Sequence, residues 1–272
     1  MVTLKTYGGL ANRMRVIDSM CQISRNLDQK FTLIWEMSYE LNCSFLKLFK
    51  PVDLFSLKEY YISKYPKKFR SLVYKSLKQV GLNFPLGYRK YIFNSDIEKA
   101  KKNNYVMELF AHDYPIFVCT VNQFYEAPDS FSYFTPIDEV NDSVENVKKG
   151  FLANTIGIHI RRTDNVISIK SSPREAFVAK MKEAVDENND TRFFLATDSP
   201  EEENFLSTEF PGRIISYPKE LNRNSEKGIQ DALVDLYCLA NTKKIIGSYY
   251  SSFSEVAAQI KNIPLELICV TK

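Results

Sequence analysis

The segment Ile156-Gly157-Ile158-His159-Ile160-Arg161-Arg162-Thr163-Asp164 joins an apolar, strand-like run to two cations, an imidazole and a carboxylate. Strand alternation puts His159 and Arg161 on one face and Ile160 and Arg162 on the other. Two adjacent arginines at the end of a buried strand are costly unless something anionic meets them. A diphosphate would do so, because guanidinium forks match phosphate oxygens in charge and geometry. Carboxylates on neighbouring helices would also do so, as structural ion pairs. The segment alone leaves both readings open. Asp164 can brace an arginine or accept a proton, so Arg161, Arg162 and Asp164 are the candidate catalytic set.

Three further groups carry chemistry. Gly8-Gly9-Leu10-Ala11-Asn12-Arg13 sits where a strand meets a helix. Glycines there let backbone approach a ligand, and a helix N-terminus favours phosphate. Asn12 and Arg13 add polar groups, although Arg13 also fits an exposed helix position, which is the expectation for Arg15. Ser251-Ser252-Phe253-Ser254 opens another helix, where hydroxyls and backbone N–H groups either hold phosphate or simply cap. Two acids complete the set. Asp198 ends a strand and starts a helix, so it caps or contacts ligand. Asp235 lies within the apolar run Asp231 to Tyr237 and needs a partner if it faces inward, none if exposed.

The elements that must position these groups follow from periodicity. Val2 to Thr6 alternates as a strand, Tyr7 to Leu10 breaks it, and Ala11 to Leu27 is apolar at helical spacing. Phe31 to Trp35 is a second strand. Between Tyr39 and Ser130 the pattern is irregular: Phe45 to Phe49 and 67–80 read as helical, Tyr105 to Ala111 and Phe117 to Val121 as strands. Asp138 to Lys149 is a polar helix ending at Gly150. Beyond it five strands (Thr155 to Ile160, Arg192 to Ala196, Arg213 to Tyr217, Lys244 to Gly247, Leu265 to Val270) alternate with helices from about Ser172, Pro200, Gly228 and Phe253. That alternation predicts a doubly wound parallel sheet, with ligands at the strands' carboxyl ends. The chain therefore divides near 150 into an α/β domain, 1–150, and a Rossmann-like domain, 151–272, facing each other across a cleft.

Composition sets the remaining bounds. The 272 residues are 44% hydrophobic and 25% charged, ordinary for a globular protein. No window approaches the ~18 continuous apolar residues of a membrane span, and Met1 to Lys5 runs directly into a strand without a signal-peptide pattern. Five dispersed cysteines fit reduced thiols better than a disulfide frame or zinc site. Net charge is only +3, yet Lys58 to Lys102 holds twelve Lys/Arg against three acids, among many aromatics. Such a run fits nucleic acid, an anionic membrane surface or an acidic ligand, and equally a solvated helical face with aromatics packed inward.

His159, Arg161, Arg162 and Asp164 match the HxRRxD pattern, which resembles the signature of GDP-fucose-dependent fucosyltransferases: the α-1,2, α-1,6, nodulation-factor and protein O-fucosyl groups. The Gly8-Gly9 turn is similar to the GGLGNQ turn of the α-1,2 enzymes, departing at Ala11 and Arg13. Ser251 to Ser254 resembles their SSFS element, and Ala196-Thr197-Asp198 their ATD element. The resemblance spans residues 8 to 254 and leaves about 40–150 unmatched. It implies a GT-B-like fold and a GDP-sugar pocket lined by Gly8, Gly9, Asn12, Arg13, His159, Asp198, Asp235, Ser251 and Ser252. Asp235, with His159 beside it, would recognise guanine.

The resemblance further implies inverting transfer of fucose from GDP-fucose without metal or other cofactor, and no DxD motif is present. Arg161 would bear the leaving phosphate, with Arg162 shaping the loop or helping. The base is open between Asp164 and His112-Asp113, since 165–170 lacks the acid that follows the signature in the α-1,6 group. The acceptor would be a glycan or lipid-linked saccharide bound through the unmatched middle. A bacterial-type cytoplasmic enzyme, touching the inner membrane face through its basic-aromatic segment, is the expected setting. The alternatives are a GDP-sugar-binding protein without transfer, and a nucleic-acid-binding protein using 58–102. The second lacks any recognised nucleic-acid motif.

Overall fold

A computed structural model describes residues 1–61, 87–163 and 165–270. The expected helix at 67–80 and the candidate Asp164 lie outside the described residues. Two compact units are present: Met1–Thr135 with Arg223–Glu226, and Pro136–Asn222 with Lys227–Lys272. The division falls at Thr135, ahead of the polar helix, and not after it near 150. That helix buries Val140 and Val144 within the second unit.

In the first unit, strands β1 (Val2–Thr6), β2 (Phe31–Met37), β3 (Phe55–Tyr61), β4 (Lys90–Phe93) and β5 (Ile116–Thr120) form one sheet in the order β3-β2-β1-β5-β4. Every pairing in it is parallel. Helix α1 (Leu10–Asn26) joins β1 to β2, and α2 (Asn94–Lys102) joins β4 to β5. The strands β3 and β4 are absent from the sequence reading. Both are sheet edges, and β3 carries exposed Ser56, Lys58 and Tyr60, so the continuous apolar run of a central strand is missing. The expected strand Tyr105 to Ala111 is instead a turn around a 3₁₀ segment, Met107–Leu109. Its apolar residues arise because the turn buries Leu109 and stacks Phe110 on Phe124 at 5.4 Å. Phe45–Lys47 is a 3₁₀ turn whose Phe45 meets the edge of buried Trp35.

The second unit starts with α3 (Asp138–Lys148). Its strands β6 (Ile156–Ile160), β7 (Phe193–Thr197), β8 (Ile214–Ile215), β9 (Ile245–Ser248) and β10 (Leu265–Ile268) lie in the order β10-β9-β6-β7-β8, all parallel. Helices α4 (Val166–Ser171), α5 (Arg174–Glu187), α6 (Pro200–Glu209), α7 (Glu226–Ala240) and α8 (Ser252–Lys261) connect them. Only α4 was unforeseen; it is six residues long and occupies the expected polar loop. All five residues of the central strand β6 are buried. Its Ile156, Ile158 and Ile160 join Phe177, Met181 and Leu206 in one apolar cluster with α5 and α6. On β9, a Cβ at Gly247 would come within 2.7 Å of Ser254 Cβ, so only glycine lets α8 sit this close to the sheet. No helix among the described residues is long and apolar enough to cross a membrane.

Candidate functional site

Alternation along β6 gives the two arginines different surroundings. Arg162 follows Ile158 and Ile160 onto the face of α5 and α6. Its Nε donates to Glu202 Oε1 at 2.7 Å, its Nη1 donates to the carbonyls of Ser172 (3.0 Å) and Arg161 (3.2 Å), and its guanidinium lies over the Phe177 ring at 5.9 Å. Glu202 is 3% exposed and also accepts from Arg174 Nε and Nη2, each at 3.0 Å. Burial alone would raise the Glu202 carboxyl, but hydrogen bonds from Arg174 and Arg162 hold it below its ordinary range. Arg162 therefore braces β6 against α6, the loop-shaping one of the two roles expected for it. The ion-pair alternative holds for this arginine.

Arg161 leaves β6 on the other face, with His159. Its backbone N–H donates to Ser248 Oγ (3.1 Å), the last residue of β9, and Ser248 Oγ donates in turn to the His159 carbonyl (3.3 Å). The loop after β6 is tied to β7 as well. Asp198 accepts from the Arg162 N–H (2.7 Å), the Thr163 N–H (3.3 Å) and the Thr163 hydroxyl (2.6 Å). Burial works to raise the Asp198 carboxyl, but these bonds and the nearby Arg161 charge pull it below its usual range. Asp198 does not cap α6; Ser199 does, accepting from the Glu202 N–H at 3.3 Å. Asp198 fixes the backbone that carries Arg161.

The loop after β9 completes this corner. Asn165 Nδ2 donates to the Tyr250 carbonyl (2.9 Å), and the Tyr249 N–H donates to Ser172 Oγ (2.8 Å). Ser251 is buried at the start of α8 and makes no side-chain cap, so ordinary capping does not account for it. Ser252 is the first helical residue and is half-buried. Arg161, Ser251 and Ser252 thus share the carboxyl edge of β6 and β9, where anions meet fixed cations and a helix N-terminus.

Deeper in the unit, His159 is 5% exposed, stacks on Phe253 at 5.0 Å, and leaves Nδ1 without a hydrogen-bond partner. Burial, reinforced by the Arg161 charge, pushes the imidazole down to about 3. Asp235 is buried, so the exposed alternative is excluded. Both its oxygens accept from Lys219 Nζ, at 2.9 and 3.0 Å. Burial pushes its carboxyl up to about 6 despite Lys219. Lys219 lies in an irregular loop with no sequence signal, and Glu202 was hidden in the acidic first turn of α6, where acids commonly serve the helix dipole.

The glycine turn of the first unit is built as expected, but with different supports. Gly8 adopts φ +85, a conformation that favours glycine, and Gly9 is the N-terminal flanking residue of α1. Asn12 is half-buried beside Gly8. Arg13 is 1% exposed: Nε donates to the Gly8 carbonyl (2.8 Å), Nη1 to the Glu36 carbonyl, and the guanidinium sits 4.8 Å from the Trp35 ring centroid. Desolvation pushes it down to about 10 against Glu36 and Glu40. Arg13 therefore shapes the turn from behind. Arg15 is not exposed either; its Nε donates to the Val121 carbonyl at 3.1 Å. His112 and Asp113 precede β5 at the amino edge of the sheet, where His112 stacks on Tyr114 and lies 3.2 Å from Lys90 Nζ. This is the edge opposite Gly8 and Gly9, which removes them as candidate base.

At the carboxyl half of the same sheet is a cavity of about 810 Å³, lined by Tyr7, Tyr60, Phe93 and Phe117 and by the ion-paired Lys5 and Glu36. Among the described residues, no three His, Cys, Asp or Glu are grouped so as to hold a metal.

No protein-family model and no curated protein matches the sequence. Solved structures do match its fold. The NodZ α-1,6-fucosyltransferase soaked with GDP-fucose superposes with TM-score 0.64 at 15% identity, over 95% of this chain and 92% of that one. NodZ from Bradyrhizobium gives 0.62 at 16% identity, over 94% and 91%. A variant of Arabidopsis thaliana FUT1 in complex with GDP gives 0.59 at 13% identity, over all of this chain and 70% of that one. The chain shares the two-sheet, GT-B-like fold of these fucosyltransferases.

Proposed function

We propose that the protein is an inverting fucosyltransferase that takes GDP-fucose as donor and needs no metal. One observation carries this: Arg161 stands on the His159 face at the carboxyl edge of a parallel sheet, on a loop sewn to Ser248 and Asp198. When the bond between fucose C1 and the phosphate oxygen breaks, negative charge grows on the β-phosphate. A guanidinium carried on a loop that is fixed in advance stabilises that charge with little reorganisation. Ser251 and Ser252 add hydroxyls and helix N–H groups at the same edge. In this reading the turn of Gly8, Gly9 and Asn12 suits close approach of a phosphate. Asp198 and Arg162 serve by holding the loop, and Asp164 remains the proposed base.

Guanine presents N1–H and N2–H₂ as adjacent donors, which a carboxylate accepts as a pair. Asp235 is that carboxylate in this reading, with His159 beside it, and Lys219 must yield its oxygens. The aromatic cavity of the first unit suits the acceptor, a glycan or lipid-linked saccharide, and a cytoplasmic enzyme touching the inner membrane face fits such an acceptor. Lys219 also favours a second reading, a GDP-sugar-binding protein without transfer, because both Asp235 oxygens are occupied internally.

Calorimetric titration with GDP, GDP-fucose, GDP-mannose and RNA separates donor binding from nucleic-acid binding. GDP release from GDP-fucose across an oligosaccharide panel separates transfer from binding. Arg161→Ala is expected to lower that rate on the order of 10²–10³-fold, as losing one preorganised donor to a developing oxyanion does. An Arg161→Ala variant that folds normally and keeps full turnover removes Arg161 from the site.

A further inference from the structure

Tyr250 stands in the left-handed region, with φ 57. A bulky aromatic residue rarely adopts that conformation, and when it does the surrounding structure must impose it. The constraints here are explicit. Ser248 is bonded to Arg161, the Tyr249 N–H to Ser172, and the Tyr250 carbonyl to Asn165. The loop after β9 is thereby bonded to Arg161 and Asn165 in the loop after β6 and to Ser172 just beyond α4. The strain does not serve the core, because the Tyr250 side chain is displayed: the residue is 62% exposed, and Tyr249, 6.1 Å away between centroids, is 37% exposed. A glycine would take this backbone at no steric cost. A strained residue whose large ring is turned to solvent, at the edge that carries Arg161, has a use for the ring outside the fold.

We infer that Tyr250 is a platform for the pyranose ring of a substrate sugar. Sugar C–H faces pack on aromatic faces through dispersion and weak C–H contacts, and the phenol hydroxyl can bond to sugar hydroxyls. The inference rests on the donor reading above and deepens it. The pyranose is either the donor's own sugar or the acceptor's, and the two leave different signatures.

The test uses the full chain with Tyr250→Gly and Tyr250→Phe. The glycine variant removes strain and ring together, so its melting temperature is expected to be unchanged or higher, and its GDP affinity unchanged. If the platform meets the donor sugar, affinity for GDP-fucose falls about ten-fold, a loss of ~1.4 kcal/mol. If it meets the acceptor, GDP-fucose affinity holds while KM for oligosaccharide acceptors rises about ten-fold in GDP-release assays. Tyr250→Phe, which keeps the ring, restores most of either loss. Wild-type values for both substrates in Tyr250→Gly overturn the platform alone. A wild-type protein that binds neither GDP nor GDP-fucose overturns the donor reading and the platform with it.

Discussion

Replacing Arg162 with methionine tests the division of labour between the two arginines. The substitution keeps much of the stem and removes three donors: one to Glu202 and two to the carbonyls of Ser172 and Arg161. Glu202 stays buried, with Arg174 as its remaining partner. Breaking a buried ion pair outright costs ~3–5 kcal/mol. Arg174 is about a third exposed, with 35% of its side chain accessible, and retains part of the stabilisation, so a loss of about 2–3 kcal/mol is expected. For a chain of this size that is a drop of roughly 5–10 °C in melting temperature. Far-UV circular dichroism is the suitable readout, because the single tryptophan, Trp35, lies in the first unit and its fluorescence would not follow the second. Arg161→Ala should show the opposite profile, with a melting temperature near wild type and a large loss of transfer. If Arg162→Met melts like wild type yet loses transfer as completely as Arg161→Ala, then Arg162 touches the reacting phosphate and the bracing argument is refuted.

Two further outcomes are expected. His159 is held neutral by burial, with its folded value near 3 against 6.5 unfolded. Its stabilising contribution is thus complete above about pH 6.5 and is lost as pH falls toward 3; urea midpoints of His159→Gln should fall less steeply over that window than those of wild type, and parallel slopes would contradict this. Lys219→Met should lower the melting temperature by several degrees without ligand, since the buried Asp235 loses its cationic partner. If guanine takes the freed oxygens, saturating GDP should raise the variant's melting temperature more than it raises the wild type's, and an equal or smaller rise would remove Asp235 from the base site.

The second unit was far more legible in the sequence than the first. Its strands are central or short, flanked by turn residues, and β6 reads as an uninterrupted apolar run because both its faces are covered. In the first unit the edge strands β3 and β4 carry polar residues on open sides, and the turn at 107–109 borrows the apolar spacing of a strand. Alternation on β6 foresaw that Arg161 and Arg162 face opposite ways. It could not say which meets a carboxylate, because Glu202 lies forty positions on and its contact exists only once α6 packs against β6. Lys219 was invisible for the same reason: irregular loops carry no period, so a buried pair formed from one leaves no pattern. The burial of Arg13 left no local pattern, because the Trp35 ring and the Glu36 carbonyl that enclose it come from β2.

The strand orders constrain how the chain is made as well as how it stands. The first strand, β1, lies in the middle of its sheet, between β2 and β5, and pairs residue for residue with 116–120. β6 is likewise central and waits for 245–247. During synthesis each sheet therefore holds an unpaired inner edge until most of its unit has emerged, and such long-range parallel pairing closes slowly. Until then the open edges of β1 and β6, both rich in isoleucine, leucine or valine, are the surfaces on which nascent copies would adhere. Yield is thus expected to rise at low temperature or with added chaperone, through the same central strands that place Gly8 and Arg161.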